Sequence, residues 1–232
     1  NKNIKRNLKK VELDIRNACK LAKVSEKNIN LVAVSKTIEQ KYICQAAELG
    51  QRSFGENKVQ EATRKWPEIK KLYPKTVLHM IGPLQSNKVK DAIKIFDVIE
   101  TVDREKVALE LKKNINKFKS SPDLYVQVNI GEEKQKNGCP PSEAKKFITN
   151  CKDYGLKING VMAIPPNGLN PAPYFALLTN IAKEANVKNI SMGMSKDFEM
   201  AIELNPDDYV SYFVRGLVYY RMGQYQKALK DF

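Results

Sequence analysis

A single histidine, His79, and four scattered cysteines, Cys19, Cys44, Cys139 and Cys151, leave little material for a metal centre or a disulfide framework. No two cysteines stand as a CxxC pair, and one imidazole does not complete a Cys/His set, so no structural metal site is expected. Long apolar runs are missing as well. Nothing approaches the ~20 consecutive apolar residues that span a bilayer, and no signal-peptide h-region is visible. These absences set the expectation of a soluble protein in a reducing cytoplasm, with no membrane partner. The chain begins at Asn1 rather than at a methionine, so a residue or segment is expected to precede it.

Positive charge is in excess: Lys+Arg 40 against Asp+Glu 26, a net charge of +14. Clustered, that excess would suit nucleic acid. The lysines are instead spread over successive helical patterns, from Lys9 and Lys10 through Lys112 and Lys113 to Lys145 and Lys146, as on solvated outer faces. No helix-turn-helix, zinc-finger or aromatic-basic motif accompanies them, and no specific nucleic-acid partner is expected. With 232 residues and 42% hydrophobic content the chain can bury a full core. That length suits one α/β barrel, or one domain with a small appendage.

The stretch Leu31-Val32-Ala33-Val34-Ser35-Lys36-Thr37 is a short β-branched run that ends on a lysine and passes into a helical pattern. It reads as a buried strand delivering one amine to a pocket. A lysine at the mouth of a low-dielectric site loses some preference for the ammonium form, and its free amine can condense with an aldehyde to give a Schiff base. The competing reading is a solvated strand end in a lysine-rich protein.

Ile4, Leu8, Val11, Ile15, Ala18, Leu21 and Ala22 recur at helical spacing with charges between them, an amphipathic helix over 3–23. Helical patterns follow over 38–49, closed by Gly50, over 58–72 with an interruption at Pro67, and over 86–96. More follow over 104–118 with Asp103 placed as its cap, over 142–154 closed by Gly155, and over 174–185. Between them lie strand patterns at 52–57, 76–82, 97–102, 124–130, 158–165 and 189–194. Strands alternating with helices argue for parallel βαβ units. Polar residues or glycine at successive strand ends (Lys36, Asn57, Gly82, Asn129, Ser195) favour a (β/α)8-type TIM barrel, whose working face collects those ends.

The strand count is seven. Where the eighth unit should stand, Lys196-Asp197-Phe198 recurs as Lys230-Asp231-Phe232, 34 residues on, the period of a tetratricopeptide repeat. Ala201, Tyr212, Gly216, Tyr219, Gly223, Tyr225 and Ala228 fall in that register. The pattern predicts a barrel over 1–204 and a helical tail over 205–232, with a hairpin from residue 209. The alternative is that residues 209–215, rich in Val, Tyr and Phe, serve as a substitute eighth strand. Without one, the first and seventh strands would present two open edges.

Six segments in order now carry a resemblance. The lysine strand is joined by Phe54-Gly55-Glu56-Asn57 with Val59-Gln60-Glu61, and by His79-Met80-Ile81-Gly82-Pro83-Leu84-Gln85-Ser86-Asn87-Lys88. The others are Val126 to Ile130, Gly160 to Pro165, and Ser191-Met192-Gly193-Met194-Ser195. Together, over residues 1–204, they resemble the pyridoxal 5′-phosphate homeostasis proteins. The resemblance implies an alanine-racemase-type barrel that holds pyridoxal 5′-phosphate as an aldimine on Lys36 and buffers it, without established turnover and with no catalytic residues. It implies Asn57 as a cofactor-side contact, His79 and Ser86 as pocket residues, Met194 as a cofactor-binding residue, Ser195 as a phosphate ligand, and Lys136 as a second family lysine on a loop. Each has a plainer reading: Asn57 or Ser195 as a helix cap, His79 as a hydrogen-bonded core residue, Lys136 as merely exposed.

The family's last strand, Val-Arg-Ile-Gly followed by a small hydroxyl residue, is absent here, and Val214-Arg215-Gly216 is a superficial echo inside the repeat pattern. An incomplete phosphate site and an in-frame fusion near 196–204 are therefore expected. The rival readings are a racemase-like enzyme and a decayed barrel acting through its tail. The expected assembly is a monomer or weak homo-oligomer.

Overall fold

In the computed structural model, residues 2–204 and 212–216 are described. The helix α1 (Lys2–Ala22) precedes a regular alternation: β1 (Ile29–Val34), α2 (Gln40–Glu48), β2 (Ser53–Glu56), α3 (Val59–Leu72), β3 (Val77–Met80), α4 (Val89–Ile95) and β4 (Val98–Val102). It continues with α5 (Glu105–Phe118), β5 (Asp123–Gln127), α6 (Pro141–Asp153), β6 (Ile158–Met162), α7 (Ala172–Glu184), β7 (Asn189–Met194), α8 (Phe198–Glu203) and β8 (Tyr212–Gly216). The eight strands close into one parallel barrel in sequence order. The sequence therefore predicts the barrel and its alternation correctly.

Alternation along the strands sorts side chains into two layers. Ala33, Phe54, Leu78, Ile99 and Ile190 point outward into the continuous core shared with the helices. Val32, Val98 and Tyr125 meet in the lumen, where Asn30 Nδ2 also donates to Ser53 Oγ at 2.9 Å. A second cluster, Ile15, Ala18 and Cys19 with Phe198 and Ile202, fastens α1 to α8.

Three local expectations change. The helix α3 runs through Pro67 without a break. A mid-helix proline removes one backbone bond, but Trp66 and Ile69 on either side are wholly buried, and that packing holds the helix straight on. Asp103 does not cap α5, whose N-cap is Arg104 without a side-chain bond; both Asp103 carboxylate oxygens accept from Arg104 Nη1 instead, at 2.6 and 2.8 Å.

The third change is the eighth strand. The repeat pattern favours helix over 209–232, yet residues 212–216 are β8, paired in parallel with β1 (Leu31↔Val214, Val32↔Arg215) and with β7 (Ser191↔Phe213, Met194↔Arg215). The substitute-strand alternative is the observed one, and the Val214-Arg215-Gly216 echo lies in the closing strand. The reason is non-local: one strand inserted there satisfies two edges at once, whereas a helix would leave both unpaired. The rest of the expected hairpin, 209–211 and 217–232, lies outside the described residues.

Candidate functional site

Lys36 follows directly from the layering of β1. Asn30 and Val32 belong to the lumen, and Ser35 belongs to the outer row, where its hydroxyl donates to Glu56 Oε1 at 2.6 Å. Lys36, the next residue, is half-buried and lies in the turn just past β1, at the C-terminal mouth of the barrel. Its neighbour Thr37 has φ 61°, a left-handed backbone that a β-branched residue rarely takes.

Asn57 directly follows β2, one strand over, and is half-buried with its Oδ1 buried and accepting no bond among the described residues. Gly82, after β3, lies against it so closely that a Cβ would fall 2.3 Å from the Asn57 carbonyl oxygen. His79 forms the floor. It is fully enclosed, with Nδ1 2.8 Å from Glu100 Oε1, and Glu100 Oε2 accepts from the Ser191 hydroxyl at 2.6 Å. Three strands, β3, β4 and β7, are thus joined across the lumen by one buried polar chain.

On the far side, Met194 ends β7 and Ser195 begins the turn into α8; both are half-buried. The Met194 N–H donates to Asp197 Oδ1, and burial pushes the Asp197 carboxyl up even against that bond. From β1 to β7 is two strand spacings, roughly 10 Å, with β8 between them. Ser86 stands further out, half-buried at the start of the 3₁₀ turn Ser86–Lys88 that leads into α4. The structure therefore gathers Lys36, Asn57, Met194 and Ser195 around one mouth over His79, and leaves Ser86 on the rim. A cleft of about 570 Å³ opens beside Ser86, lined by Gln85, Asp103, Arg104 and Lys136. Lys136 is not simply exposed. It pairs with Glu133 and donates to the Pro165 carbonyl at 3.1 Å.

Sequence reasoning passed over Glu100, Ser191 and Lys65. A glutamate in the middle of an otherwise apolar strand (Val98-Ile99-Glu100-Thr101-Val102) was the available signal, because a charge there must find a partner. Lys65 gave none beyond its place four residues after Glu61. Among the described residues no helix is long and apolar enough to cross a membrane.

Comparison with known proteins agrees with this fold. Residues 7–210 match the family model of the alanine racemase N-terminal domain. The pyridoxal phosphate homeostasis protein of Pasteurella multocida is 34% identical over 211 residues, 86% of this chain and 91% of that protein. The chain belongs to the pyridoxal phosphate homeostasis protein family. The human homeostasis protein is 37% identical over 195 residues, covering 75% of this chain and 70% of the relative. PipY of Synechococcus elongatus, solved with pyridoxal 5′-phosphate bound, superposes with a TM-score of 0.73 at 29% identity, over 88% of this chain and 97% of PipY. Alanine racemase of Clostridium difficile, at 14% identity and a TM-score of 0.70, covers 94% of this chain and 56% of the racemase, and shares the fold. Residues 198–230 also match a tetratricopeptide repeat model. The racemase-domain match and the repeat match overlap over residues 198–210, between β7 and β8.

Proposed function

We propose that this chain binds pyridoxal 5′-phosphate as a Schiff base on Lys36 and serves to hold and buffer it, without turnover. The observation that carries the reading is the placement of one lysine at the inner mouth of a closed barrel whose solved relative PipY binds the same cofactor. The residues present fit the group. The orphaned Asn57 Oδ1 needs a donor, and the cofactor's ring hydroxyl is one. Gly82 lets Asn57 pack directly against it, since a Cβ there would fall 2.3 Å from the Asn57 carbonyl oxygen.

Bound here, the cofactor would supply an electrophilic aldehyde for the Lys36 amine. Asn57 would contact its ring side, His79 with Glu100 and Ser191 forms a rigid polar floor beneath it, Met194 would contact it, and Ser195 would hold its phosphate. Ser86 closes the rim. Burial and the nearby Glu100 carboxylate push the hydroxyl of Tyr125, the lumen tyrosine, well above the usual range, against the opposing effect of its hydrogen bond to Asn189. Within the repeat-like segment 205–232, residues 212–216 supply the barrel's last strand. A cytoplasmic setting and a monomer or weak homo-oligomer, with no specific nucleic-acid or membrane partner, complete the reading.

Mixing purified protein with pyridoxal 5′-phosphate should give a visible imine band that borohydride traps on the peptide containing Lys36, and Lys36→Ala should abolish it. An unchanged band in that variant removes Lys36 from the site; sustained interconversion of alanine enantiomers would establish an enzyme instead.

A further inference from the structure

The turn that carries Lys36 is held from the outer side of the barrel by a buried charged group on β2 and α3. Lys65 Nζ reaches the Ser35 carbonyl at 2.8 Å and the Ile38 carbonyl at 3.3 Å, the two residues that bracket Lys36 and Thr37. It also contacts Glu61 Oε1 at 2.9 Å and Glu56 Oε1 at 2.7 Å. Four acceptors therefore surround an ammonium with three N–H donors. Glu61 Oε1 in turn accepts the Thr37 N–H at 2.7 Å, and Glu56 Oε1 accepts the Ser35 hydroxyl at 2.6 Å and Trp66 Nε1 at 3.1 Å.

Backbone groups on both sides of Lys36 are thus tied to one fixed set of side chains. The Lys65 side chain is 10% exposed and that of Glu56 is fully buried. Thr37 is kept in its left-handed conformation by the bond from its own N–H to Glu61. A strained backbone persists only where its surroundings over-determine it, and such places cluster where geometry is used. Lys65 itself, with every donor engaged, is a poor nucleophile. Its chemistry here is to hold.

We propose that Lys65, braced by Glu56 and Glu61, is a positioning residue that fixes the Ser35–Ile38 turn so that the Lys36 amine meets the cofactor aldehyde. This rests on the reading of Lys36 given above. Misplacing a reacting atom by an ångström costs far more rate than binding, because the reaction needs alignment and binding does not.

The test separates those two quantities. Imine formation is timed by stopped-flow absorbance after mixing with pyridoxal 5′-phosphate. Binding alone is measured with pyridoxine 5′-phosphate, which carries an alcohol in place of the aldehyde. Lys65→Met keeps the apolar stem and removes the charge. It should slow imine formation about tenfold or more while the pyridoxine 5′-phosphate affinity stays within roughly twofold. Glu61→Ala, at a more accessible position, should slow it severalfold with the same unchanged affinity, and it decides the matter if Lys65→Met does not fold. Imine formation within about twofold of the parent in a folded variant overturns the proposal, and so does a parallel loss with both probes, which would mean general collapse of the site. An imine that survives Lys36→Ala would instead overturn the reading of Lys36, so the two failures are distinct.

Discussion

Glu56 offers the sharpest test of how the barrel wall is held. It is wholly buried, and its Oε1 accepts from Ser35 Oγ, Trp66 Nε1 and Lys65 Nζ. In Glu56→Ala these three donors do not fare alike. The Ser35 hydroxyl turns to the Gly55 carbonyl, already 3.3 Å away, and loses little. Lys65 retains Glu61 and two carbonyls. Trp66 Nε1–H, in a fully buried ring, loses its acceptor, at about 1–3 kcal/mol. The vacated volume and the lost charged hydrogen bond add about 1–3 kcal/mol. Relief of the buried carboxylate's desolvation, visible in the way burial raises its pKa, offsets part of this.

The expected net destabilisation is about 3 kcal/mol. At roughly 2–4 °C per kcal/mol for a chain of this size, the midpoint should fall by about 6–12 °C. Glu56→Gln keeps the acceptor oxygen for Trp66 and Ser35 and gives up only the charge, so it should cost about 1 kcal/mol or less. Urea unfolding at neutral pH with unchanged slope measures both. A Glu56→Ala variant within about 1 kcal/mol of the parent, or no less stable than Glu56→Gln, would refute the argument that buried donors, rather than charge, set the cost.

Val214→Pro removes a ladder N–H from a strand paired on both sides, and should cost about 3 kcal/mol or more. Hydrogen exchange should then show lost protection along both β1 and β7; protection unchanged in those two strands would refute β8. Gly82→Ala places a methyl carbon 2.3 Å from the Asn57 carbonyl oxygen. It should cost about 1–3 kcal/mol in urea unfolding and weaken cofactor binding together, and equal affinity for both proteins would detach Asn57 from the site. Burial pushes the Glu61 carboxyl up, but Lys65 and the Thr37 N–H outweigh that and hold it below the ordinary glutamate value. A carboxyl lowered in the folded state stabilises above its unfolded value and loses that stability as pH falls through the folded one. Unfolding free energy below about pH 4.5 should therefore decline less steeply in Glu61→Gln than in the parent.

Much of this molecule was set by local rules that read directly along the chain. Strand and helix alternate because short β-branched runs and 3.6-residue apolar periods do, and Gly50 and Gly155 stop helices because their φ values of 105° and 83° suit glycine. The lysine just past β1 and the asparagine after β2 were legible as polar residues at strand ends, which a barrel collects on one face. Glu56, Glu61 and Lys65 were not legible as a group, since their partnership with the Ser35–Ile38 turn spans 27 to 30 positions for Lys65 alone. Nor was the continuity of α3 through Pro67, because the burial of Trp66 and Ile69 that secures it is a tertiary quantity.

The closing strand marks the boundary most clearly. By local pattern, residues 209–232 read as repeat helices, and only the Val, Tyr and Phe content of 209–215 argues for a strand. The barrel decides for Tyr212–Gly216, because an eighth strand there pairs with β1 on one side and β7 on the other. Two rows of backbone hydrogen bonds outweigh a single segment's helical preference.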